Sequence, residues 1–153
     1  MSNEAYLRYY ADTKRLCREA FPDLFFGDTE FSDHLVLTGF DQPARYIRIR
    51  YPGLRPLHLR RIEIFVERDG APVNVAPEAT MAISSNWPNS EWLVQKKVFL
   101  ESSTEKYGFH TEVETNPWVI VDLGQAEQVS QIRLFNRTDE FAFRAWGIVL
   151  ETS

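Results

Sequence analysis

From about residue 34 onward, apolar and polar side chains alternate with period two, and turn-forming residues interrupt the alternation every few positions. Residues 44–51, ARYIRIRY, are the cleanest case. Ile47 and Ile49 face one way and Arg48 and Arg50 the other, because successive side chains of a strand project to opposite sides. Pro52-Gly53 predicts a turn, residues 57–67 predict a strand with Ile62, Ile64 and Val66 on one face, and Arg68-Asp69-Gly70 predicts the next turn. A short strand is predicted at 34–38 and further extended structure at 73–85. The mixed segment 86–108 holds one more candidate strand, 94–100. The clearest strands are 118–123 and 129–136, separated by a turn at Gly124 and a polar linker, and the last is 146–150. Trp118 stands inside an apolar strand and is expected in the core.

The pattern before residue 34 is different. Tyr6, Tyr9, Tyr10, Leu16, Cys17 and Ala20 recur at helical spacing, with Thr13 completing the stripe. Ser2 or Asn3 suits the N-cap, Glu4 the first turn, and Pro22 stops the helix, which is predicted over 3–20. One helix followed by many short strands predicts an all-β, antiparallel sandwich carrying an N-terminal α-helix. No internal repeat and no low-complexity tract interrupts it.

Length and charge narrow the class. The 153 residues suffice for one domain, read as 1–153, with a sizeable core. The net charge of −5 disfavours a nucleic-acid partner, which needs a basic stripe against the phosphates. Cys17 is the only cysteine, so neither an intrachain disulfide nor a cysteine-based zinc site is expected. The opening MSNEAYLRYY lacks the regions of a signal peptide. No apolar run approaches the roughly 18 residues that cross a bilayer. A cytoplasmic protein with no membrane span is the resulting expectation.

The candidate chemistry gathers near the C-terminus. His110 and Arg137 are 27 positions apart (137 − 110), and Arg137 and Arg144 are 7 apart (144 − 137), each where a strand meets a loop. A neutral imidazole beside two planar guanidinium forks suits a polyhydroxylated ligand. The plainer alternative is structural: Asp139 and Arg144 form an ion pair, Arg137 braces the same turn, and His110 is a hydrogen-bonded residue at a strand start. Trp87 and Trp92, in a loop-rich segment, are candidate stacking platforms. His34 and His58 have no partner pattern and are expected to be structural. Arg48, Arg50, Arg60 and Arg61 read as a solvated face with ion pairs rather than a basic patch. No Ser/His/Asp, metal or paired-carboxylate constellation stands out, so no enzyme activity is expected. Glu112 and Glu114 share a strand face, but a solvated loop is the simpler reading.

Three linked segments resemble the discoidin, or coagulation factor type C, family: FHT at 109–111, NPWVIVDLG at 116–124 and NRTDEFAFRAWG at 136–147. They match the family pattern FHT, PWxxVDLG and NRxDxxxxRxxG in order and spacing. Two weaker matches lie upstream. RYIRIRYPG…LHLRRIEIF (45–65) resembles the family's closing strand pair, and NVAPEATMAISSNW (74–87) its opening strand. Together the matches cover about two thirds of the chain. The closing pair precedes the opening strand here, which implies either a circular permutation or the end of one domain followed by the start of another. Permutation is favoured, because a half-sandwich leaves apolar strand edges uncovered.

The resemblance implies a galactose-binding-like jelly roll. The spacing of His110, Arg137-x-Asp139 and Arg144 resembles the fucose-binding motif of the F-type lectins, a branch of this family in which a histidine and two basic residues hydrogen-bond the sugar. That branch also stacks the sugar on a disulfide of adjacent cysteines. Glu140 and Phe141 occupy those positions here, and Phe141 is the candidate replacement surface. Glu63 matches a glutamate that contributes to a structural calcium site in the family. The family's aspartate-rich calcium loop is missing, and calcium takes about six to eight oxygen ligands, so weak or absent calcium binding is expected. The expected function is a non-catalytic carbohydrate-binding module with a glycan as partner, serving or attached to a larger glycan-processing protein. The alternative is a discoidin-like domain that binds a protein.

Overall fold

Ile47 and Ile49 are fully buried while Arg48 between them is exposed, so the alternation of residues 44–51 translates directly into a two-faced strand. The computed structural model describes residues 34–87, 97–99 and 107–153. The helix predicted over 3–20 lies outside the described residues. Twelve strands are present among them: β1 (His34–Thr38), β2 (Ala44–Arg50), β3 (Leu54–Arg55), β4 (His58–Leu59), β5 (Arg61–Arg68), β6 (Ala71–Asn74), β7 (Thr80–Ile83), β8 (Phe109–His110), β9 (Glu114–Thr115), β10 (Trp118–Glu127), β11 (Val129–Phe135) and β12 (Val149–Thr152).

The longer strands form two four-stranded antiparallel sheets, ordered β12-β2-β10-β7 and β1-β11-β5-β6. In the first, Ile49 pairs with Val119 on one side and Leu150 on the other. In the second, Ile132 pairs with Ile64 and with Leu37. These residues belong to one buried cluster, so the two sheets cover each other's apolar faces, a sandwich-like all-β arrangement. Strands β2 and β5, from the first half of the chain, lie inside sheets completed by β10, β11 and β12. Residues 44–66 therefore share a core with residues 118–150 rather than forming a separate body.

Several elements differ from the sequence reading. The predicted strand 57–67 breaks at Arg60 into β4 and β5, and the stretch 73–85 is β6, a 3-10 turn at Ala76–Glu78, and β7. Within the predicted strand 94–100, Lys97–Phe99 form a 3-10 turn. Val98 and Phe99 within it are both buried. Gly124 is not the turn between two strands. β10 runs through it with a register shift between Asp122 and Glu127, and Gly124, at φ 82°, donates its N–H to the Asp122 carboxylate over 2.8 Å. The chain crosses to the other sheet at Gln128 instead. The final strand begins at Val149, not Trp146. Trp118 is half-buried on the outer face, because Val119 and Val121 are the residues that β10 turns inward. The Asp69-Gly70 loop behaves as predicted: both residues have positive φ (54° and 78°), the conformation a two-residue hairpin between β5 and β6 needs.

Candidate functional site

At one end of the sandwich β2 and β11 finish and β5, β10 and β12 start, and two short ladders, β3–β9 and β4–β8, cap it. In the β4–β8 ladder His58 stands directly opposite His110. Paired residues of an antiparallel ladder project to the same side, and the two rings lie 5.0 Å apart at a 33° tilt. The ladder is locked by Gly108 N–H to Leu59 O (2.8 Å) and Thr111 N–H to Leu57 O (2.9 Å). The Thr111 hydroxyl accepts the Leu57 N–H over 2.8 Å.

His110, 7% exposed, is ringed by aromatics. Trp87 lies 5.4 Å away between ring centroids, and Tyr107 meets it edge-on at 4.9 Å. Trp87 also donates its backbone N–H to His110 O over 2.9 Å, yet the residue remains 44% exposed. Nδ1 of His110 sits 2.6 Å from Thr111 O, so it carries the proton and leaves the Nε2 lone pair as acceptor. His58, only 1% exposed, has no hydrogen-bond partner for either ring nitrogen among the described residues. Burial, then the positive field of Arg137, holds its pKa well below the ordinary value, with His110 and Arg144 acting in the same direction and Asp139 against it. Burial also lowers His110, with Arg137 and Arg144 adding to the effect while the Thr111 carbonyl opposes it. Both imidazoles are neutral at pH 7.

The second half of the site is the loop from Asn136 to Gly147. Asn136, fully buried, ties the loop to itself: its Nδ2 donates to Ala142 O (2.7 Å) and its Oδ1 accepts the Arg137 N–H (2.9 Å). Arg60 reaches the same residue, donating Nε–H to Asn136 O over 3.2 Å. Arg137, 5% exposed, grips Asp139 through Nε and one Nη. Asp139 in turn accepts the Phe141 N–H over 3.2 Å. The Arg137 guanidinium lies 5.0 Å from the Tyr107 ring centre and 5.2 Å from that of Phe141, and the Arg144 guanidinium lies over the same Phe141 ring at 4.3 Å. From β3, Arg55 donates one Nη to the carbonyls of Arg144 and Trp146 (3.3 and 3.4 Å), fixing the 3-10 turn Ala142–Ala145.

His110, Arg137, Asp139, Phe141, Arg144 and Trp87 are thus brought to one end of the fold. Trp92 lies outside the described residues. The predicted Asp139–Arg144 ion pair does not form; Asp139 pairs with Arg137. Arg137 accordingly braces the loop, as the structural alternative required. Two residues went unrecognised in the sequence, His58 and Tyr107. Tyr107 borders the FHT segment, which was a usable signal. His58 carries none beyond its place in the apolar run Leu57-His58-Leu59.

Glu63 lies elsewhere, on the outer face of β5. Arg61 and Arg133 approach it at 3.8 and 4.0 Å, and together with His34, Val36 and Phe135 these residues line a groove of about 490 Å³. A cation there competes with two guanidiniums for one carboxylate. Among the described residues no group of three or more His, Cys, Asp or Glu side chains converges. Calcium and chelator are expected to give the same melting temperature; a shift of many degrees would reveal ligands that Glu63 does not supply, since a metal bound only by the native state raises apparent stability. Arg48 and Arg50 both pair with Glu151, in keeping with an ion-paired face. Glu114 accepts the Ser84 and Ser85 hydroxyls at 2.5 and 2.6 Å, which ties it to the end of β7, while Glu112 is exposed.

No family model, curated protein or solved structure matches the chain. Fold and site together define an all-β, sandwich-like protein with an aromatic-lined cluster of two neutral histidines and two arginines at one end. Among the described residues no helix is long and apolar enough to cross a membrane.

Proposed function

We propose that this chain is a discoidin-type jelly-roll module that binds a glycan at the His110 end and performs no chemistry on it. One observation carries the reading: Trp87, Tyr107 and Phe141, from three separate stretches of chain, surround one neutral imidazole and two guanidiniums. Aromatic faces suit the apolar C–H face of a pyranose, and a few fixed donors and acceptors then orient its hydroxyls. Nε2 of His110 accepts from a hydroxyl, and the hydrogens of Arg137 and Arg144 that Asp139 does not hold donate to others. The motif positions support the jelly-roll assignment: NPWVIVDLG supplies β10, and NRTDEFAFRAWG is the loop between β11 and β12 that holds the arginines.

A glycan array on the purified chain tests the reading, followed by Trp87→Ala on the best ligand. Trp87, a residue 44% exposed, is expected to contribute little to the fold and much to the contact. Affinity should fall roughly 10-fold or more, equivalent to about 1.4 kcal/mol, with the melting temperature nearly unchanged. Absence of binding to any glycan refutes the proposal. The buried Arg137–Asp139 brace favours a protein-binding loop as the reading that then leads.

A further inference from the structure

We infer that the sugar held at this site carries an anionic substituent, a carboxylate or a sulfate, received by Arg144. The inference rests on the glycan reading and adds the chemical class of ligand to it. Among the described residues the charges at the site do not balance without such a group. Arg137 is neutralised by the carboxylate of Asp139 in a two-pronged contact. Arg144 has no carboxylate partner among the described residues; Glu140, four positions before it, is exposed and forms no ion pair with them. Its Nε is buried and has no hydrogen-bond partner among the described residues, and its guanidinium lies on the Phe141 ring, a contact that orients the fork without neutralising it. A half-buried guanidinium with no carboxylate beside it is costly, and an oxyanion that accepts from its Nη groups offsets that cost. Carboxylate and sulfate both offer the paired oxygens that match the fork, which an ammonium would not select as well.

The surroundings point the same way. His58 and His110 are neutral, so neither supplies nor cancels charge at pH 7, and Arg144 lowers the pKa of both. The chain as a whole carries −5, so generic attraction to acidic glycans is not expected and any preference must arise locally.

The test is an array in which the same oligosaccharides are printed in neutral, uronate-bearing and sulfated forms, with the best set then titrated in solution at low and high salt. The acidic member should bind at least 10-fold tighter at low salt, and the advantage should shrink as salt rises. Whichever of the uronate and sulfate arms binds identifies the anion. In Arg144→Gln the ratio of acidic to neutral affinity should fall toward one. Arg133→Gln removes the same charge from the outer face of β11 and should keep the ratio. Equal affinity for neutral and acidic forms overturns the anion inference and leaves the glycan reading standing. Loss of the preference in both variants overturns it as a general charge effect. No binding in any arm refutes both.

Discussion

Gly108→Val is expected to lower the melting temperature by roughly 10 °C, taking about 3 kcal/mol for forced overpacking and about 2–4 °C per kcal/mol at this chain length. A Cβ on Gly108 would stand 2.4 Å from Val98 Cα and 2.7 Å from both Arg60 O and Val98 Cβ. Two of those three atoms are backbone, so no side-chain rotation relieves the clash. Gly108 also anchors β8 through its bond to Leu59 O, two residues before His110, so the surviving folded fraction should bind its ligand more weakly as well. Thermal melts of the two proteins decide it. A variant that melts with the wild type would mean that Val98 does not pack on Gly108 in solution. The contrast is Gly124, where added Cβ atoms meet nothing within 4 Å and only the positive φ makes glycine the better residue.

Acid should destabilise the protein through His58. Its folded-state pKa is depressed by burial and by Arg137, while in the unfolded chain it returns to about 6.5. Below that value the unfolded state binds the proton and the folded state does not, so stability rises with pH through this range and is lost as pH falls. The loss runs at up to about 1.4 kcal/mol per pH unit wherever the unfolded chain binds the proton and the folded chain does not. His110 adds a contribution of the same sign, opposed by its bond to the Thr111 carbonyl. Denaturant unfolding at several pH values should show the slope, and His58→Leu should flatten most of it. Because neither ring nitrogen has a partner among the described residues, His58→Leu gives up no hydrogen bond there and should be at least as stable as the wild type at pH 7. An unchanged slope in the variant would mean that His58 is solvated or charged in the fold.

What the sequence revealed follows from how far each signal reaches along the chain. The strands around Ile47 and Ile64 were legible because alternation is local and a buried face tolerates no slip of register. The same alternation, followed one residue further, puts Trp118 outside, since Val119 and Val121 together outweigh a single aromatic. Gly124 was read as a turn because glycine marks turns and bulges alike, and only the pairing partners of β10 separate the two. In the site, His110, Arg137 and Arg144 were visible from spacing. Which arginine takes Asp139 was not, because a loop's hydrogen bonds depend on backbone angles that the spacing leaves free. His58 was hidden for a stronger reason. Its significance comes from standing opposite His110, 52 residues away (110 − 58), and that pairing exists only once the chain has folded.

The position of β2 at the heart of its sheet has a consequence for how the chain is made. Its neighbours arrive late: Val119 pairs with Ile49 across 70 residues (119 − 49) and Leu150 across 101 (150 − 49). At a synthesis rate of about 5–20 residues per second, β2 leaves the ribosome roughly 5–20 s before its last partner strand is made. For the first 70 residues of that interval Ile47 and Ile49 have neither flanking strand to cover them, and until β12 is made the growing chain carries a bare β edge open to pairing with whatever it meets.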